Sequence, residues 1–312
     1  MKTNNSWKQL VGGMCVALSV LLPVGNVRAE IIYVTNESSG TIGEYDGTTG
    51  AAINTALVSG LTNPLGIALS GNDLYVANYA GSNNDNIGRY NATTGAAINA
   101  SFISGVSSPY GLAVSGNELF AANVNFHTIG EYNAFTGVAI NTPLVSGLHS
   151  PIGIAISGNN LFVANWNAGT IGEYNATTGT AINVSLISGL TNPSYIAIAG
   201  NDLYVSSRTT GLIGRYDATT GAAINASLIS GLSGPFGIAI TGNDLFVANF
   251  FGGTIGKYDA TTGATISASL VSGLHNPVGI AVASIPETST WVMGFLALGA
   301  VGFMVRRSKA TV

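Results

Sequence analysis

"PVGIAVA", residues 277–283, is a short apolar run that ends the regular part of the chain with nothing to pair with after it. Every earlier run of this kind is followed by a turn and a second run, as in "PLGIALSGNDLYVAN" at residues 64–78. The start of the regular part shows the converse. "IIYVTNESSGTIGEYDGTTG", residues 31–50, opens on a second run and lacks the first. A unit without its head at one end and a lone head at the other add up to one complete unit.

That unit recurs at a fixed period. Tyr45, Tyr90, Tyr132, Tyr174, Tyr216 and Tyr258 are 45, 42, 42, 42 and 42 residues apart, and Pro64, Pro109, Pro151, Pro193, Pro235 and Pro277 repeat the series. Periods of roughly 40–50 residues with four strands per unit mark propeller blades. Here "GIALS" predicts an innermost strand, "GND" a hairpin turn, and "LYVAN" a second strand. "TIGEYD" predicts a third, "ATTG" a Gly-ended turn, and the alternating "AINASLIS" an outer strand. The expected fold is all-β, a six-bladed β-propeller with four-stranded blades, its ring closed by three N-terminal strands plus one C-terminal strand. Closure hides strand edges that an open ring would expose, whereas a linear solenoid would need caps at both ends.

Composition narrows the classes of function. Charged residues are only 8% of the 312, against about 25% in average soluble domains, so neutral polar groups carry the solubility. Between residues 30 and 285 there are thirteen acids and four bases, Arg89, Arg208, Arg215 and Lys257. Nucleic-acid binding needs clustered cations to neutralise phosphates, and that class is excluded. The one cysteine, Cys15, lies in the first 29 residues, which leaves residues 30–312 without thiol, disulfide or Cys-ligated metal.

Both ends read as targeting segments. Residues 1–29 hold Lys2 and Lys8, the apolar run Leu10–Leu22 and small residues before Glu30, a signal peptide cleaved after Ala29. Residues 30–284 form the propeller. In 285–312, Pro286 and Glu287 precede an uncharged stretch, 291–305, and then Arg306 and Arg307. As a helix that stretch spans about 22 Å, enough for a transmembrane segment with local thinning of a ~30 Å core, and its basic end belongs on the cytoplasmic side.

"YVTN" at 33–36, the "YVAN" and "FVAN" variants and the "NPxGIA" units resemble the YVTN/NHL-type β-propeller repeat families over residues 31–283. The tail resembles the PEP-CTERM sorting signal of exopolysaccharide-producing bacteria, with Thr288 where that signal usually carries a second proline. This resemblance implies an exosortase-like processing enzyme as partner. It also implies a protein anchored in the inner membrane at least transiently, then released to the cell surface or extracellular matrix.

Catalysis usually needs two convergent titratable groups, and none stand out. Most acids belong to repeated turns or precede and follow the repeated tyrosine. Glu37 and Asp85 are the non-repeated acids in the loops after second strands. Lactonase-type propellers hold a divalent ion on channel-facing carboxylates, but the innermost strands here carry no carboxylate. No metal, cofactor or catalytic residue is expected. Asn36, Asn78, Asn123, Asn165 and Asn249, with Ser207 in sixth place, are read as caps of their own turns. His149 and His275 hold the same position three blades apart, and His127 stands alone in its loop.

Departures from the repeat point to a binding face instead. Tyr110, Trp166, Tyr195, Arg208, Phe236 and Phe250 fall on one side and are the candidate ligand-binding residues, an aromatic rim whose replacement should leave the blade core intact. Blade 5 departs most, with Tyr195 in place of a glycine and Arg208 after Ser207. The expected function is an exported, non-catalytic propeller that binds or scaffolds extracellular polysaccharide, another matrix component or a protein partner. The alternative is a lyase or lactonase acting on a carbohydrate-derived substrate.

Overall fold

A computed structural model describes residues 30–81 and 84–284. The expected signal peptide (1–29) and the expected sorting tail (285–312), with Pro286, Glu287, the 291–305 stretch, Arg306 and Arg307, lie outside the described residues. Among the described residues no helix is long and apolar enough to cross a membrane.

The described residues open with β1 (Glu30–Asn36), β2 (Thr41–Asp46) and β3 (Ala52–Val58). Blade 2 is β4 (Pro64–Ser70), β5 (Asp73–Asn78), β6 (Asn86–Asn91) and β7 (Ala97–Ser104). Blade 3 is β8 (Pro109–Ser115), β9 (Glu118–Asn123), β10 (Thr128–Asn133) and β11 (Ala139–Val145). Blade 4 is β12 (Pro151–Ser157), β13 (Asn160–Asn165), β14 (Thr170–Asn175) and β15 (Ala181–Ile187). Blade 5 is β16 (Pro193–Ala199), β17 (Asp202–Ser207), β18 (Leu212–Asp217) and β19 (Ala223–Ile229). Blade 6 is β20 (Pro235–Thr241), β21 (Asp244–Asn249), β22 (Thr254–Asp259) and β23 (Thr265–Val271). The last strand, β24 (Pro277–Ser284), pairs with β1 and completes blade 1 in the order β24-β1-β2-β3. The three-plus-one closure expected from the repeat is therefore present.

Local chemistry explains the repeated letters. In the "GTTG" turn of blade 1 the Asp46 Oδ1 accepts the N–H groups of Thr48 (2.9 Å) and Thr49 (2.7 Å). Asn91, Asn133, Asn175, Asp217 and Asp259 build the same turn in the other blades. On each third strand the tyrosine folds back over the glycine two residues before it; a Cβ on Gly43 would lie 2.5 Å from the Tyr45 hydroxyl. The outer strands are bulged, since the Asn54 side chain accepts the Ala56 N–H at 3.1 Å and the register shifts there twice. Asn99, Asn183 and Asn225 repeat the device. Such bulges blunt the exposed edge of each sheet.

The core consists of six apolar clusters, one at each blade–blade interface. Between blades 2 and 3, for instance, Tyr75, Ile87 and Ile103 meet Leu112, Leu119 and Tyr132. The interfaces on either side of blade 1 are built in the same way. Two polar ties hold the seam. Thr35 Oγ1 accepts the Gly279 N–H (2.8 Å) and donates to the Leu65 carbonyl (2.6 Å), linking β1, β24 and blade 2. At the other end of the seam the Lys257 Nζ meets Asp244 (2.7 Å), Glu30 (3.3 Å) and the Gly47 carbonyl (3.0 Å), which joins blade 6 to blade 1.

A second, longer period lies over the six-blade one. Arg89 of blade 2 binds Asp73 (2.6 Å) and the Phe135 carbonyl (2.8 Å). Three blades on, Arg215 binds Asp202 (2.7 Å) and the Thr261 carbonyl (3.1 Å). Tyr110 likewise answers to Phe236, and His149 to His275. At these positions the ring repeats every three blades, whereas Lys257 of blade 6 answers to Glu131 of blade 3.

Candidate binding site at the channel mouth

Each innermost strand begins with the repeated proline, followed by a bulge against its neighbour, as between Pro64 and Ile67 in β4. The glycine two residues after the proline lets adjacent innermost strands approach closely. A Cβ on Gly66 would sit 1.8 Å from the Tyr110 carbonyl oxygen, and one on Gly237 2.1 Å from that of Val278. The residue between proline and glycine then faces its counterparts around the ring. Leu65, Ile152, Phe236 and Val278 gather in one cluster, with Tyr110 packed against it.

Blade 5 makes this closure differently. Ser194, fully buried, takes the place of the apolar residue, and Tyr195 takes that of the glycine and joins the same cluster. Ser206 adapts the neighbouring strand to it. Its Oγ accepts the Tyr195 N–H (3.0 Å) and donates to the Phe236 carbonyl (2.6 Å). In blades 2, 3, 4 and 6 the equivalent residue is alanine. All six blades thus contribute to an apolar plug across one end of the channel.

The structure brings all six candidate residues together. Tyr195 and Tyr110 lie against Phe236, with ring centroids 5.3 and 6.5 Å away, and Phe250 follows at 6.1 Å. Trp166 packs against the same cluster. The Arg208 guanidinium lies over Phe250 (4.3 Å), Phe251 (4.8 Å) and Phe236 (5.2 Å). The expected picture of an aromatic rim separate from the core needs correction here. Tyr195 and Phe236 sit on β16 and β20 and are only 9% and 4% exposed, so they are structural members of the plug. Phe251, Tyr110, Trp166 and Arg208 supply the solvent-facing part.

Arg208 is the one basic side chain among the described residues without a carboxylate in ion-pair distance, since Arg89, Arg215 and Lys257 are paired at the other end of the ring. Glu37, at the mouth from blade 1, has its carboxyl pushed up by burial, with Arg208 pulling the other way. Burial pushes the Tyr195 phenol up strongly, helped by Tyr110 and Glu37, and its hydroxyl is enclosed without a hydrogen-bond partner among the described residues. Tyr110 is raised by burial first and then by Glu37. Glu37, Ser194 and Ser206 were not among the candidates. The signal that could have found them is the exchange of small residues around Tyr195 and the lone acid in the first loop.

The mouth also breaks the three-blade symmetry. Glu37 stands where the other half has Trp166, Tyr79 where it has Arg208, and Val124 where it has Phe250. The remaining polar residues have structural uses. Asp85 spends its carboxylate on the N–H groups of Gly81 (2.9 Å) and Ser108 (2.7 Å). The amides of Asn36, Asn78, Asn165 and Asn249 each bridge to the first residue of the following strand, within their own hairpin. His127 Nδ1 accepts the Ser150 N–H at 3.1 Å. Among the described residues no three His, Cys, Asp or Glu side chains converge.

No protein-family model matches the chain, and no curated protein matches it. Among solved structures, a chain of a nidogen/laminin complex superposes with a TM-score of 0.71 at 17% identity, covering 82% of this chain and 98% of that one. That likeness establishes the propeller fold. A computationally designed protein, Ika8, aligns over 80% of this chain and 74% of its own at 19% identity, with a TM-score of 0.48.

Proposed function

We propose that the chain is an exported, non-catalytic propeller that holds extracellular matrix material, polysaccharide or protein, against its channel mouth. The observation that carries this reading is the single asymmetric cluster around Arg208. It lies on a ring that is otherwise repetitive, and it combines an unpaired guanidinium with Trp, Tyr and Phe. Such residues dominate the energetics of recognition surfaces, and a guanidinium braced on aromatic faces keeps its edge donors free for a ligand. The nidogen/laminin likeness fits, because that similar chain comes from a protein–protein assembly. The leader and tail supply the route: export, a stay at the inner membrane, and release by an exosortase-like enzyme to the surface or matrix.

The test is a binding screen of the exported protein against glycan arrays and isolated matrix. Replacing Arg208 and Trp166 with alanine together should weaken capture by a factor of 10–100, in line with losses of about 1–3 kcal/mol when anchors are truncated. Loss of capture on changing the opposite "TTG" turns instead would place the site on the wrong face. Mass spectrometry of the surface fraction should find peptides up to about Ser284 and none from Trp291 onward. Full-length chain confined to the inner membrane would argue for a permanent anchor.

A further inference from the structure

Among the described residues, clefts on the rim lie between neighbouring blades or along a blade's outer strands. Two of them, at the interfaces of blades 6 and 1 and of blades 3 and 4, have volumes of about 440 and 580 Å³. The other two, at the interfaces of blades 4 and 5, where Thr191 stands in the place of His149, and of blades 2 and 3, reach only about 230 and 280 Å³. The larger pair is one site made twice. Asn36 answers to Asn165, Thr41 to Thr170, Tyr45 to Tyr174 and His275 to His149, each three blades away. The equivalents of the histidine elsewhere are Thr62, Ser107, Thr191 and Ser233.

Neither large cleft is lined by an acid or by Lys or Arg. The walls offer hydroxyls, an amide, an imidazole and a phenol ring beside leucine and valine. At each site the asparagine is 3% exposed and anchored to the cleft threonine (3.5 and 3.4 Å), while the histidine is exposed. Asn165 Oδ1 also accepts the His149 N–H at 3.3 Å, whereas Asn36 Oδ1 is enclosed with no partner among the described residues. Ligand sites usually occupy roughly 300–1,000 Å³, a range that takes in this pair and leaves out the smaller two.

We infer that the two histidine clefts each bind a stretch of neutral oligosaccharide, so that one propeller bridges two segments of the same polymer. Neutral donors and acceptors match sugar hydroxyls without a charge to neutralise, and the exposed imidazole gives a face for stacking, the tyrosine ring beneath being buried. Three blades apart in a six-blade ring, the clefts open on opposite edges of the disc. A ligand held in one leaves the other free, which is the geometry of a cross-linker. This inference is independent of the channel-mouth reading.

The test uses the full chain in mild detergent and a panel of neutral hexasaccharides built from glucose, galactose, mannose and N-acetylglucosamine, titrated calorimetrically. At least one should bind with two equivalents per chain. His149→Ala and His275→Ala should each leave one equivalent, and the double variant none. In parallel, the imidazole NMR signals of His149 and His275 in the unmodified chain should shift together while those of His127 stay. This second readout needs no substitution to fold. The inference is overturned if no panel member binds, if binding is one-to-one, or if the double variant binds as before.

Discussion

The hydroxyl of Tyr195 is a cost built into the plug. A buried O–H without a partner forfeits its hydration and gains nothing in exchange, so Tyr195→Phe should keep the ring packing and remove the penalty. We expect stability to rise by about 1 kcal/mol, read as a higher Tm. A fall would mean that the hydroxyl has an acceptor. Titratable groups make a second prediction. Burial raises the carboxyls of Glu30, Glu37, Glu44, Glu131 and Glu173 above the ordinary value of 4.5. The native state therefore binds more protons than the unfolded chain above that pH, and stability should grow as pH falls toward 4.5. Turn hydrogen bonds lower Asp46, Asp217 and Asp259 below 3.8, so the unfolded chain binds more protons there and stability should drop on further acidification. Thermal melts across pH 2.5–7 should pass through a maximum near pH 4–4.5. Monotonic loss from pH 7 downward would contradict this. Tyr195 and Arg208 were visible in the sequence as departures from a repeat. That Tyr195 is buried was not visible, because a single blade does not disclose what its innermost strand meets across the ring.

The seam between β1 and β24 was legible to within one residue at each end, because a period that starts and stops out of phase admits one closed solution. What the period could not show is how the seam is tied. Thr35 stands where blades 2, 3, 4 and 6 carry alanine and, like Ser206 of blade 5, satisfies an N–H and a carbonyl on different strands. Thr35→Ala should leave both buried groups unpaired and cost about 1–3 kcal/mol, measured by chemical denaturation. Ala164→Gly, at the equivalent position of blade 4, serves as a control for backbone effects. Truncation after Leu274 removes β24 altogether and exposes an edge of β1 as well as the interfaces to blades 6 and 2. We expect a lower Tm and aggregation; unchanged melting would refute closure by this strand.

The three-blade period explains why some pairs recur and the channel mouth does not. Arg89 and Arg215, with their aspartates, and the two histidine clefts obey it, whereas Glu37, Trp166, Tyr79 and Arg208 do not. A ring that keeps its symmetry at the edge and abandons it at the centre can meet one partner in front and two alike at the sides.

The seam also orients the molecule. β24 runs from Pro277, beside Asn36 at the mouth, to Ser284, which is in register with Glu30, and the Glu30 carbonyl accepts the Gly47 N–H at 2.7 Å in the turn on the far side. Whatever precedes Glu30 and whatever follows Ser284 therefore leave from adjoining points on the back of the disc. A tether attached there would hold the disc by its back, like a lamp on a stem. The mouth would look outward and the rim would run parallel to the supporting surface. On spheroplasts that carry the tethered form, a cysteine replacing Phe251 should then react readily with a bulky impermeant reagent, while one replacing Thr49 should be shielded. Release of the tether should make the two equally reactive.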